Sequence, residues 1–330
     1  MYNEEFASRI LDEIKEQFPN MKVQLKDVLK NNNIILHGLI IGSDKNRDVA
    51  PTIYIDKYMK DEEGAVYEQE YLEDVIADIQ EQYEAGQKEV AYIQSILDSL
   101  LEFDMMKEKI YFSLVNYDKN KDFLMKIPHR KFLDLAITYR MLIKSTKNGE
   151  VIDSIVSNAV LERWGDITEE ELYNLAMENT PKLFEFESQK ITDLLSKFMN
   201  NEEKKAVENE IEKENMMIIV SNKNKNKGSY VMLYQNYLRE VIKQYGFSRA
   251  YILPSSIHEV LLLLEDPKKG LVNVLDILDM VKTVNMNEVD EYEILADSVY
   301  EISLTDDIAI AASSRPWKGW EEYYNNQFMN

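Results

Sequence analysis

The sequence predicts an α+β protein built as two mixed-layer domains, with antiparallel hairpins and helices packed on sheet faces. Three observations lead there. Helical and strand periods follow one another irregularly, at least two strand pairs are joined by short hairpin connections, and 330 residues exceed one ordinary core. A doubly wound parallel sheet would instead need a long crossover between neighbouring strands. The expected divisions are residues 1–108, an α-β-β-β-α domain, residues 109–312, an α+β domain, and an aromatic tail over 313–330.

In the first domain, Phe6, Ile10, Ile14 and Phe18 recur every four residues, and Pro19-Asn20 closes the helix. Val23 and Leu25 alternate with Lys22, Gln24 and Lys26 in a strand. Ile35, His37, Leu39 and Ile41 share one face of the next, and the turn Lys30-Asn31-Asn32-Asn33 joins them. Residues 51–56 give a third short strand, with Pro51 at its start. Leu72, Val75, Ile76, Ile79 and Tyr83 stripe a helix over residues 70–85, and 86–108 reads as a separate, less regular helical segment.

The second domain opens with a strand at 110–117 and a loop over 119–128. Leu133, Leu135, Ile137, Tyr139, Met141 and Ile143 then alternate strictly, and Asn148-Gly149 suits a hairpin turn because both residues accept positive φ. The return strand carries Ile152, Val156 and Val160. Thr168 and Glu171 form a capping box for a helix expected to stop at Asn179-Thr180-Pro181. Residues 183–199 read as a further helix, and 200–214 as an exposed helix or linker. A strand at 216–221 and a Lys/Asn loop precede a helix striped by Tyr234, Tyr237, Leu238, Val241 and Ile242, with Gly246 as its C-terminal cap. Strands at 249–253 and 258–264, a helix through Leu271, Leu275 and Val281, and a hairpin across Thr305-Asp306-Asp307 complete the order.

Composition removes several chemistries. The chain has no Cys, which excludes disulfides, thiolate metal sites and Cys nucleophiles. No stretch approaches the roughly 18 apolar residues that span a bilayer, and the N-terminal residues lack the pattern of a signal peptide. A cytoplasmic protein without a membrane partner is therefore expected. Net charge is −22, a field that repels nucleic-acid backbones, so no nucleic-acid partner is expected. Acid concentrates in two segments. Residues 61–90 hold eleven acids and one base, Lys88, and residues 283–314 hold eight acids and no base. Solvated faces explain such runs in most proteins; docking of a basic protein partner is the sharper reading.

Only three His exist. His37 reads as a satisfied strand residue and His129 as an exposed turn residue. His258 lies in Leu253-Pro254-Ser255-Ser256-Ile257-His258-Glu259-Val260, where hydroxyls, an imidazole and a carboxylate fall within five residues. Ser255, Ser256, His258 and Glu259 are thus the candidate catalytic residues, with Asp297 as another carboxylate. The local spacing argues against a triad, whose base normally reaches its nucleophile from another segment. Ser256-x-x-Glu259 is also a capping-box spacing, so a capped turn is the structural alternative. No metal-ligand spacing or phosphate loop is present, and no cofactor or metal is expected. The loop Asn222-Lys223-Asn224-Lys225-Asn226-Lys227-Gly228-Ser229 lacks the glycines of a P-loop and reads as solvated, and Asp306-Asp307 reads as ordinary turn chemistry.

The segments KNNN at 30–33, PTIYI at 51–55, LAITYR at 135–140, AMENTP at 176–181, LPSSIHEV at 253–260 and LADSVYE at 295–301 resemble, in this order, a bacterial domain-of-unknown-function family. The likeness runs from about Phe6 to Ala312 and is closest to members from gut-associated Gram-positive bacteria; from LAITYR to LPSSIHE the layout is also distantly similar to a second such family. The resemblance implies a bacterial intracellular protein and carries no catalytic residue or cofactor across. The function expected is that of a non-enzymatic, acidic interaction or scaffold protein. The alternative is a hydrolase or transferase centred on Ser256 and His258 with a carboxylate partner.

Overall fold

The computed structural model describes residues 2–42, 50–59, 67–100, 102–145, 151–196, 216–254, 256–269 and 272–314. It is an α+β fold with three antiparallel sheets, of three, four and six strands. The chain divides into two compact units, Met1–Glu102 and Phe103–Asn330.

In the first unit, helix α1 (Glu4–Gln17) is capped by Asn3, whose side chain accepts the Phe6 N–H at 2.9 Å. Strands β1 (Lys22–Leu29) and β2 (Ile35–Gly42) pair antiparallel, and β3 (Thr52–Tyr54) adds to β2. The β1–β2 turn places Asn32 and Asn33 at φ 62° and 59°, a left-handed conformation that Asn enters more cheaply than other non-glycine residues. Helix α2 (Gln69–Leu100) closes the core, burying Leu72, Val75, Ile76, Ile79 and Tyr83 with Phe6, Ile10, Ile14, Leu39 and Ile41. The expected break after residue 85 is corrected: one helix of 32 residues runs through Gly86. An interior glycine weakens a helix by about 1 kcal/mol, too little to end one anchored by this core.

The second unit begins with α3 (Phe103–Met106), β4 (Ile110–Asn116), α4 (Lys121–Leu124), β5 (His129–Phe132), β6 (Leu135–Ser145) and β7 (Val151–Ile155). Strand β6 pairs with β4 along one edge, and with β5 and then β7 along the other. Two readings change here. Leu133 is in the β5–β6 turn at φ 57°, and His129, expected in a turn, is a β5 residue paired with Thr138. Asn148-Gly149 lies outside the described residues.

Helices α5 (Asn158–Trp164) and α6 (Glu169–Leu183) follow. Val160 belongs to α5, capped by Ser157, and not to the return strand. The Thr168–Glu171 capping box is present in both directions. Helix α6 passes through Pro181 and does not stop before it. Pro181 has no N–H for the Met177 carbonyl four residues back; the Tyr234 hydroxyl donates to that carbonyl at 3.1 Å. The preceding residues dock the helix on β4. Thr180 Oγ1 accepts the Phe112 N–H at 3.1 Å, and Asn179 Nδ2 donates to the Lys107 and Ile110 carbonyls.

The helix expected over 183–199 is instead strand β8 (Phe186–Lys190) and a short α7 (Ile191–Leu195). Pairing with β9 (Met217–Asn222) overrides the local preference. Then come α8 (Gln235–Gln244), β10 (Arg249–Leu253), β11 (Val260–Leu264), α9 (Val274–Glu288), β12 (Ser298–Ser303) and β13 (Ala309–Ser313). The six-stranded order is β13-β12-β10-β11-β9-β8. Gly246, at φ 83°, ends α8: its N–H reaches the Lys243 carbonyl and that of Phe247 the Ile242 carbonyl. Helix α9 packs Ile277, Leu278 and Val281 on Tyr251, Leu253, Leu263 and Val299. Residues 200–214, Leu271 and the aromatic side chains from Trp317 to Phe328 lie outside the described residues.

Tyr234→Phe should destabilise the fold by about 1–3 kcal/mol, since it leaves a carbonyl at the α6 end unsatisfied. Adding Pro181→Ala, which restores an N–H donor, should recover part of that loss; a denaturant double-mutant cycle measures the coupling.

Candidate functional site

The turn holding the sequence candidates lies between β10 and β11. Ser256 makes an isolated bridge with Ile294, and its Oγ accepts the N–H of His258 at 3.0 Å. That is a hydroxyl turn over two residues. Glu259 does not close a capping box here, and the hydroxyl meets the His258 backbone, not its ring. Ser255 lies outside the described residues.

His258 serves as a hub for the 222–229 loop. Its carbonyl accepts the Gly228 N–H at 2.9 Å and the Ser221 hydroxyl at 2.7 Å. Its Nδ1 accepts the Lys227 N–H at 3.2 Å, and its Nε2 lies 3.2 Å from Glu293 Oε1. The imidazole's carboxylate partner is thus Glu293. Asp297 is drawn elsewhere, to Asn285 Nδ2 at 2.9 Å and Lys119 at 3.6 Å.

The loop read as solvated is bound at several points. Asn222 Nδ2 donates to the Asn226 carbonyl and to the Tyr230 hydroxyl, and Gly228, Ser229 and Tyr230 are buried. A Cβ on Gly228 would stand 2.8 Å from both Asn222 N and the His258 carbonyl oxygen, and against Ser221 Oγ. Two of those neighbours are backbone, so only glycine fits. Lys225 and Lys227 both take φ 50°.

Lys227 reaches a cluster that sequence reasoning missed. Its Nζ lies 3.0 Å from Asp153 Oδ2 on β7, and Arg140 Nη2 on β6 lies 2.5 Å from Asp153 Oδ1. The Tyr111 hydroxyl on β4 donates to the same carboxylate. Asp153 is only 6% exposed, whereas Arg140 and Lys227 are each 21% exposed. Burial alone would raise the Asp153 pKa; the Arg140 hydrogen bond and charge, with Lys227 and Tyr111, outweigh it and bring it to about 2. Burial, then the Asp153 charge, pushes the Tyr111 hydroxyl well above the ordinary range. The ionised carboxylate and a neutral phenol are therefore the stable forms. Nothing in local spacing reveals this cluster, because its members come from three strands and a loop. The one available signal was an Arg in the middle of a strictly alternating, largely apolar strand.

The other candidates have structural partners. His37 Nδ1 lies 2.7 Å from Asp56 Oδ1, its N–H donates to Asp56 Oδ2, and its ring stacks on Tyr2 at 3.5 Å. His129 Nδ1 lies 3.1 Å from the Ile127 carbonyl and so carries the proton of that contact. Asp306 accepts from Ser303 and Thr305, and Asp307 pairs with Arg239 at 2.6 Å. Among the described residues, no group of three or more His, Asp or Glu is placed to hold a metal ion, and no helix is long and apolar enough to cross a membrane.

Residues 3–303 match the model of a family of unknown function, DUF5688, and the chain belongs to that family. No curated protein and no solved structure matches it.

Asp153→Ala leaves two cations half-buried around an empty position and should cost about 3–5 kcal/mol in denaturant unfolding. The Asp153 contribution is complete above the unfolded carboxylate value of about 4. It should fade as pH falls toward about 2, and this acid-side loss should be absent in the variant. Gly228→Ala should also destabilise the fold, whereas alanine at exposed Lys223 should leave it within about 0.5 kcal/mol.

Proposed function

We propose that this DUF5688 member is an acidic interaction module whose contact surface is the outer face of α2, and that the partner presents a basic surface. The observation that carries the reading is a contrast between the two acidic segments. Along α2, Glu70, Glu73, Asp74, Glu81 and Glu84 are all exposed. Steps of three, four and seven residues relate them, which keeps them on one side of the helix. In residues 283–314, by contrast, Glu293 faces His258, Asp297 faces Lys119, Glu301 pairs with Arg249, and Asp307 pairs with Arg239. Asp297, Glu301 and Asp307 are thus matched by cations from distant positions in the sequence and project less field, and Glu293 is held by the imidazole.

A row of like charges on one rigid helix steers an oppositely charged partner during encounter, and its effect falls with ionic strength. The alternative, a hydrolase or transferase centred on Ser256 and His258, has less support. Both groups are bound to backbone: the hydroxyl to the His258 N–H and Nδ1 to the Lys227 N–H. A hydroxyl nucleophile would need to meet the ring.

The test compares two triple reversals of equal charge. Glu73→Lys/Glu81→Lys/Glu84→Lys should weaken association with poly-lysine by at least about tenfold at low salt. Glu288→Lys/Asp290→Lys/Glu291→Lys should weaken it far less. Equal losses would reduce the effect to net charge and overturn the assignment to α2.

A further inference from the structure

The geometry points to His258 as a proton-operated latch on the loop of residues 222–228: taking up a proton at its Nδ1 releases the Lys227 backbone N–H. A backbone amide can only donate a hydrogen bond. The 3.2 Å contact from the Lys227 N–H therefore requires an unprotonated Nδ1 and leaves the single ring proton on Nε2, facing Glu293 Oε1. Uptake of one proton from solvent puts an N–H on both ring nitrogens. The Nε2–H···Glu293 bond survives that step. The Nδ1 contact does not, because two donors then face each other.

The surroundings decide which part moves. Facing the ring are the Glu293 carboxylate from the segment before β12 and the Lys227 amide from the loop; Glu259 is the next residue in the chain. Asp290, near Glu293, accepts the Tyr292 hydroxyl at 3.0 Å. The His258 backbone is fixed by bonds that protonation leaves alone: Gly228 and Ser221 on its carbonyl, and Ser256 Oγ on its N–H. The side chain is 27% exposed, so water delivers the proton directly. The Lys227 peptide is the compliant part, since the residues on either side of it stay bound through Asn222 and the His258 carbonyl. Lys227 sits at φ 50°, a conformation that a residue with a Cβ adopts only when held. The Nδ1 bond holds its N–H, and Asp153 and Asn226 Oδ1 hold its ammonium. Breaking the first frees the peptide N–H, while the ammonium keeps Asp153 and Asn226 Oδ1.

The test follows the His258 ring nitrogens by 15N NMR together with amide hydrogen exchange, corrected for intrinsic rates, across the range in which imidazoles titrate, about pH 8 to 5. At the upper end, Nδ1 should be unprotonated and the Lys227 amide protected. As the ring gains its second proton, Lys227 protection should fall by at least about tenfold, the equivalent of one lost hydrogen bond, while Gly228 stays protected. In His258→Ala the Lys227 amide should exchange fast at every pH, with Gly228 still protected. The proposal is overturned by an Nδ1–H tautomer at pH 8, by Lys227 protection that does not change through the titration, or by a ring that stays neutral to pH 5. Each of these outcomes is read on the unsubstituted chain, so the test stands even if the variant fails to fold.

Discussion

The second unit depends on one buried carboxylate. Asp153 receives Arg140 from the neighbouring strand, the Tyr111 hydroxyl from two strands away, and Lys227 from the loop that leaves the six-stranded sheet. None of these groups can be buried charged on its own, since the loss of hydration exceeds what packing returns. Together they join the four-stranded sheet to the 222–228 loop. That loop is in turn fastened to the His258 turn through Gly228, Ser221 and the imidazole. Removing the carboxylate would therefore loosen several elements at once.

Two further polar joins repeat the logic. Asp134, in the β5–β6 turn, accepts the hydroxyls of Ser298 and Tyr300 from β12, both at 2.6 Å, and Tyr300 is fully buried. At the end of α6, Thr180 and Asn179 satisfy backbone groups on and before β4, and Tyr234 supplies the proton that Pro181 lacks. Between these joins the contacts are aromatic. Tyr111, Phe184, Tyr230 and Phe186 meet at ring distances of 4.8–6.5 Å, near the loop that carries Lys227. A loop anchored on so many sides can hold two left-handed lysines, a shape its own sequence does not favour.

Charge is distributed differently in space than along the chain. The eight acids of residues 283–314 look unopposed in sequence, yet Lys119, Arg239, Arg249 and His258 are brought to four of them by folding. The acids on the outer side of α2 are on a helix whose opposite face is core, so they remain at the surface. A helix has only one face to bury, and its period decides which residues stay outside. The same chain thus carries four acids tied to distant bases in residues 283–314 and a row of acids displayed on α2.

The sequence by itself determined the α+β class, most strands and helices, the Thr168–Glu171 cap and the Gly246 stop. These are local properties: a period, a cap or a positive φ is written in residues a few positions apart. Only the tertiary structure decided that Phe186–Lys190 is a strand, that α6 runs through Pro181, and that α2 is one helix. There, partners distant in sequence outweighed local preference by covering a β edge, an orphan carbonyl or an apolar stripe. The Asp153 cluster was beyond local reading for the same reason. Its four side chains span residues 111 to 227, and only strand register and a bound loop bring them within hydrogen-bonding distance.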